Sequence, residues 1–239
     1  MKSLYRLSNK LLIFSFILAN CSYSIDDNEI VLTINNEPVT KAEYLFIMSG
    51  LKPEVYSSFA QNFDGPEFWK RNFNGEVPGK VLHQKTVQTL KRIKTEQSLM
   101  KAYKIADDIT YNGFITGLNA ENARRKMAIE KKIPIYGPLE FDERTYFQYL
   151  HSERVQKLKK SIINESSIKQ DDMNRMFEEM KKALVEDMEP VNPDELKAYI
   201  KMELLKKKYE ELIDTMEMKS VLVFKINDKA FEKIQKILF

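Results

Sequence analysis

No glycine follows Gly137 in this chain of 239 residues, and only seven occur in all. Glycine enters left-handed backbone conformations without steric cost, so it marks tight turns, bulges and phosphate-cradling loops. The 102 residues from 138 to 239 contain none, so they must be built from elements that do not need it. Helices joined by short polar or proline-bearing connections meet that condition. Propellers, sandwiches and glycine-rich nucleotide sites do not, and neither a GxGxxG nor a GxxxxGKS/T motif is present. Hydrophobic residues make up 43% of the chain, enough for a packed core, and charges are spread rather than blocked. The expected class is mainly α.

The N-terminus reads as an export signal. Lys2, Arg6 and Lys10 surround and precede a nine-residue apolar run at 11–19. Spanning a bilayer takes about 20 residues, so the run has the length of a signal-peptide core. Leu18-Ala19-Asn20-Cys21 resembles a bacterial lipobox, although the lipobox pattern prefers a small residue where Asn20 stands. On that reading residues 1–20 are the signal peptide and Cys21 is the lipid attachment point. Cleavage after Ser24 is the alternative and would remove the cysteine. Both place the working protein outside the cytoplasm: anchored by lipid in the periplasm or at the cell surface, or otherwise secreted. Taking away the three basic residues of 1–20 leaves 35 basic against 35 acidic. The mature chain is then neutral, and charge gives no argument for nucleic acid. The single cysteine excludes an intramolecular disulfide framework and a cysteine-built zinc site.

The mature chain reads as helices between two strands. Residues 29–34 form a β-branched run, and 35–38 a turn. Thr40 with Glu43 is a capping box opening a helix over 41–49. Residues 51–79 carry three prolines and three glycines and read as irregular. A long helix is expected over 80–104, with Leu82, Leu90, Ile93 and Met100 on its core side and seven basic residues taken as a solvated face, or as a docking surface for an acidic partner. Further helices are expected over 111–131, 142–163 and 169–184. Residues 186–193 form a linker. Asn192 as cap and Pro193 at the first helical position announce a helix to about 218, with Leu205, Tyr209, Leu212 and Met216 as its stripe. A second strand at 220–226 and a short final helix follow. Isolated strands leave their hydrogen-bonding edges empty, so 29–34 is expected to pair with 220–226 in a two-stranded sheet.

The strand-turn-helix opening, Ile30 to Tyr44, resembles the N-terminal chaperone domain of the SurA/PrsA family of extracytoplasmic foldases. Phe68-Trp69, Gly75-Glu76-Val77-Pro78, Glu121-Asn122-Ala123-Arg124-Arg125 and Ile135-Tyr136-Gly137-Pro138 add to the resemblance. It implies a multi-helix chaperone lobe with its helical region over 26–185, completed by 194–239. Many family members insert a parvulin prolyl-isomerase domain near the position of 186–193. That domain is glycine-bearing and carries a histidine pair. Its absence is expected here, since the junction is short and glycine-free and His83 and His151 lack a supporting motif.

The function these readings imply is binding without chemistry. No cofactor, metal or catalytic residue is assigned. The aromatic segment with Tyr56, Phe59, Phe63, Phe68, Trp69 and Phe73 is the candidate client-binding surface, because rings in an irregular stretch give broad apolar contact with unfolded or extended polypeptide. The alternative is that these rings pack down and anchor a long loop. The expected protein is an exported, lipid-anchored holdase for other exported polypeptides. The rival readings are a partner-specific accessory lipoprotein of the envelope and a residual prolyl isomerase or other enzyme. Oligomeric state and client are not legible.

Overall fold

The computed structural model describes residues 26–59, 65, 67–163, 168–184 and 192–225. Strand β1 (Ile30–Ile34) turns into β2 (Glu37–Thr40), and α1 (Lys41–Phe59) follows directly. A 3-10 turn at Phe68–Lys70 leads to α2 (Pro78–Ala102), α3 (Tyr111–Glu130) and α4 (Glu143–Ile162). Helices α5 (Gln170–Leu184) and α6 (Pro193–Met218) precede β3 (Leu222–Phe224). The expected signal segment with Cys21, positions 186–191 of the linker and the final helix lie outside the described residues.

The sheet is antiparallel, in the order β2-β1-β3. The expected pairing of the two distant segments is present, with Leu32 opposite Phe224 and Ile34 opposite Leu222. The sheet has three strands rather than two, because only Asn35 and Asn36 form the turn. Both are left-handed (φ 52° and 67°), the geometry of a two-residue hairpin turn, so Glu37 and Pro38 enter β2. Pro38 is tolerated because β2 is an edge strand. Asn35 also holds the distant strand: its Oδ1 accepts from the Val221 amide at 2.9 Å, and its own amide donates to the Val221 carbonyl at 3.0 Å.

Caps position the helices. Thr40, Thr110, Asp142 and Asn192 each accept a backbone N–H from the first turn of the helix they precede. The capping box at Thr40 is only half made: Thr40 Oγ1 accepts from the Glu43 amide at 3.2 Å, but the Glu43 carboxylate turns away to Lys94. Helix α1 runs ten residues past its expected end at 49, with Pro53 inside it. An interior proline costs about 3 kcal/mol in an isolated helix. Burial of Val55 and packing of Tyr56 against the main core offset that here.

Four apolar clusters are strung along the chain. The sheet, α1 and the first half of α2 enclose the largest, including Leu82, Leu90 and Ile93. Met100, Leu158, Tyr209 and Ile213 join α2, α4 and α6 in a second. Leu118, Phe141 and Tyr146 close α3 on α4. Leu196, Ile200 and Leu204 bury the start of α6 against α5. Of the stripe expected on α6, only Tyr209 is buried. The buried face is Leu196, Ile200, Leu204, Tyr209, Ile213 and Glu217. It is rotated because α6 serves α5 with its first half and α2 with its second.

Candidate functional site

Among the described residues, the rings of the aromatic segment pack inward and line no open groove. Phe68 and Trp69 are 1% and 8% exposed, and Tyr56, Phe59 and Phe73 pack against the same core. Their centroids are close: Tyr56 to Phe68 4.7 Å, Phe68 to Trp69 5.0 Å, Phe68 to Phe73 5.6 Å and Phe59 to Phe73 5.7 Å. Tyr56 and Phe59 stand on α1, not in a loop. These five rings therefore anchor the connection from α1 to α2. Phe63 and Cys21 lie outside the described residues.

The basic face of α2 is not all solvated either. Lys94 is 2% exposed and pairs with Glu43. Arg92 turns to α6, 2.5 Å from Glu210. The two histidines gain partners that sequence spacing does not reveal. His83 Nδ1 lies 2.8 Å from the Tyr44 hydroxyl. His151 Nε2 donates to Glu96 at 2.9 Å, and Tyr209 donates to the other Glu96 oxygen at 2.9 Å. Burial alone would raise the Glu96 carboxyl. The hydrogen bond and charge of His151, together with Tyr209 and Arg92, hold it below the usual glutamate range. This acid sits inside the α2–α4–α6 contact and braces it. A cavity of about 20 Å³ beside it, bounded by Gln97, His151 and Arg154, has room for one water. Among the described residues, no group of three His, Cys, Asp or Glu is arranged to hold a metal, and no helix is long and apolar enough to cross a membrane.

The exposed apolar surface is concentrated elsewhere. Of the fourteen exposed large apolar side chains among the described residues, six lie between 127 and 149: Met127, Ile129, Ile133, Tyr136, Leu139 and Tyr149. They surround the turn from α3 to α4. Tyr136, at its apex, is 91% exposed and Leu139 68%.

This tip is held rigidly from behind. Helix α3 ends with the Ile133 amide donating to the Ala128 carbonyl at 2.8 Å and the Lys132 amide to Ile129 at 3.0 Å. Lys132 sits at φ 54° where a glycine usually stands. Arg125, 6% exposed, then reaches under the loop. Its Nη1 donates to the carbonyls of Tyr136 and Pro138 at 3.0 and 2.5 Å, and its Nε to Glu121 at 2.8 Å. Its guanidinium lies 4.3 Å from the Phe141 ring centroid. Asn122 pairs with both backbone groups of Phe141, at 2.9 Å each. Hydrogen bonding from Arg124, then from Arg125, holds Glu121 below the usual glutamate range, so it stays charged under both guanidiniums. Gly137, at φ 81°, makes the final reversal.

A hollow of about 650 Å³ opens between this loop and α3, with Ala123, Ile129 and Leu139 among its walls. The two sequence runs 121–125 and 135–138 are thus the clamp and the clamped loop of one structure. In the sequence, Ile135-Tyr136-Gly137-Pro138 stands out through the family resemblance and not as an exposed surface. The available signal was three large apolar residues, Ile133, Ile135 and Tyr136, inside a proline-bearing turn. Comparison with family models, with curated proteins and with solved structures returned no match.

Proposed function

We propose that this is an exported, lipid-anchored helical protein of the SurA/PrsA type that binds unfolded or extended segments of other exported polypeptides, without ATP and without isomerase chemistry. The capture surface is the tip between α3 and α4. The observation that carries this reading is the exposed group Ile133, Tyr136 and Leu139 on a loop whose backbone Arg125 and Asn122 hold in place. Large apolar side chains gathered on one exposed feature suit an interaction site. Because the loop is already ordered, little further conformational entropy is lost on contact. Exposed tyrosine and aliphatic side chains suit short apolar stretches of a client, held weakly and released without a covalent step.

The test mixes the mature protein with an unfolding client and follows light scattering. Suppression at several-fold excess is expected, weakened in the double variant Tyr136→Ser/Leu139→Ser. Absence of suppression by the unaltered protein would overturn the reading. The fixed shape of the clamped loop also favours a narrower variant, in which the tip holds one envelope partner. A pull-down from native envelopes separates the two: a spread of exported proteins supports the holdase, one stoichiometric partner the accessory role.

A further inference from the structure

A second surface lies at the opposite end of α4. From Glu143 to Lys160 is 17 residues, about 25 Å of helix. There α4 and α6 leave a groove of about 430 Å³. Its apolar walls are Ile163, Met202 and Leu205, and its rim carries Lys159, Lys160 and Lys206 with Glu203 as the one acid. Met202 is 62% exposed although it faces this groove from the side of a packed helix. A methionine floor adapts to varied aliphatic shapes.

The charge around the groove is predominantly basic. Residues 156–163 contain three lysines and no acid, and 201–208 contain four lysines against Glu203 alone. The whole mature chain is neutral by the reading above, so these two facing segments concentrate its positive charge. Lys159 is committed to the protein, with its Nζ 4.7 Å from the Tyr209 ring and 3.9 Å from Glu210. Lys206 makes a long surface contact to Glu203, at 3.5 Å, of the kind worth well under about 1 kcal/mol.

We propose that the α4–α6 groove binds an acidic-aliphatic peptide segment, seating leucine-like side chains on Ile163, Met202 and Leu205 with flanking carboxylates at Lys160 and Lys206. The charge complementarity selects acid over base, and the apolar floor selects a peptide with aliphatic side chains over a simple polyanion. The proposal goes beyond the tip and does not require it.

The test is fluorescence anisotropy with the full chain and three labelled peptides: one of repeating Glu and Leu, one with Lys in place of Glu, and one with Ser in place of Leu. The Glu/Leu peptide should bind, and either replacement should weaken binding by about tenfold or more. Its affinity should fall as salt rises. Lys160→Glu/Lys206→Glu, and separately Met202→Ser, should weaken it. Circular dichroism of each variant checks folding. Equal binding of the Lys/Leu peptide, no binding of any peptide, or no effect of the lysine reversals would overturn the proposal. So would laurate binding where the Glu/Leu peptide does not, which would assign the groove to an anionic amphiphile. A dimer by sedimentation that the lysine reversals dissolve would assign it to a second copy and also overturn it.

Discussion

The Lys94 ammonium lies 2.9 Å from the Glu43 carboxylate, and the two side chains are 2% and 6% exposed. Among the described residues, the second Glu43 oxygen has no hydrogen-bond partner. Burial pushes the Glu43 carboxyl up, and the charge of Lys94 only partly opposes it. A buried pair of this kind is strained by desolvation, and breaking it is worse than replacing it. Lys94→Met alone should therefore destabilise the protein by about 3–5 kcal/mol, while Glu43→Leu/Lys94→Met should recover most of the loss. Urea denaturation of both variants measures this. Equal losses in the single and double variants would show that the pair is not a coupled unit.

Two helices end on a lysine in the left-handed conformation. Lys104 (φ 56°) and Lys132 (φ 54°) each follow a helix, and the next residue's amide, Ile105 or Ile133, reaches back to close it at 2.8 Å. A side chain with a Cβ carries a steric cost there of roughly 1–2 kcal/mol that glycine avoids. Lys104→Gly and Lys132→Gly should each raise stability, by about 0.5–1 kcal/mol once glycine's greater unfolded-state entropy is counted. A chain this poor in glycine makes its helix stops with lysine and bears the strain. Thermal melts of the single variants decide the sign.

Trp69 is the chain's one tryptophan, 8% exposed, with its ring edge-on to Phe68. Its emission should be blue-shifted, resistant to iodide quenching, and unchanged when an unfolded client is added. Phe68→Ala should cost about 3–5 kcal/mol by opening the main core. A client-dependent shift in emission would return the aromatic segment to the role of binding surface.

What was legible in the sequence follows the range of each interaction. The starts of α4 and α6 were readable because Asp142 and Asn192 act on amides two or three residues away. The pairing of β1 with β3 was inferred from a general need, that a lone strand cannot stand. The stripe on α2 was readable because Leu82, Leu90, Ile93 and Met100 repeat within one helix. Lys94 was not, because only Glu43, 51 positions away, distinguishes it from its six basic neighbours. The Glu96 brace draws on partners 55 and 113 positions away. The tip was not legible as a surface: its residues entered through the family resemblance, and the clamp depends on a loop path that brings carbonyls 136 and 138 over Arg125.

That clamp has its own test. Arg125 supplies a planar fork to two carbonyls and Glu121, and covers the Phe141 ring. Lysine has the charge but not the fork. Arg125→Lys should therefore behave nearly as Arg125→Ala. Hydrogen bonds to charged groups are worth about 1.5–3 kcal/mol, and the loss should fall on local opening rather than on the whole fold. Amide hydrogen exchange should quicken over 133–141 in both variants and remain unchanged in α2. Full protection retained in Arg125→Lys would show that charge alone holds the tip.

The Glu96 brace makes stability depend on pH in a window set by its sign. Its folded-state pKa is lowered from the usual 4.5. The unfolded chain then takes up a proton first as pH falls, so the stabilisation from Glu96 is complete well above 4.5 and is lost as pH drops through the lower folded-state value. Glu96→Gln keeps the shape, and still accepts one hydrogen bond, but removes the charge that Tyr209 and His151 serve. It should be less stable by about 1.5–3 kcal/mol near neutrality. The gap between the two proteins should hold down to about pH 5 and close below 4.5. His83 adds a separate slope above that window: burial lowers its pKa from 6.5, so both proteins lose some stability as pH falls below that value. Because His83 is present in both, its contribution drops out of the difference curve, which reports Glu96 with its partner His151. Denaturant melts at closely spaced pH values read it directly, and a gap that persists unchanged to pH 3 would show that Glu96 is not held as a carboxylate by this network.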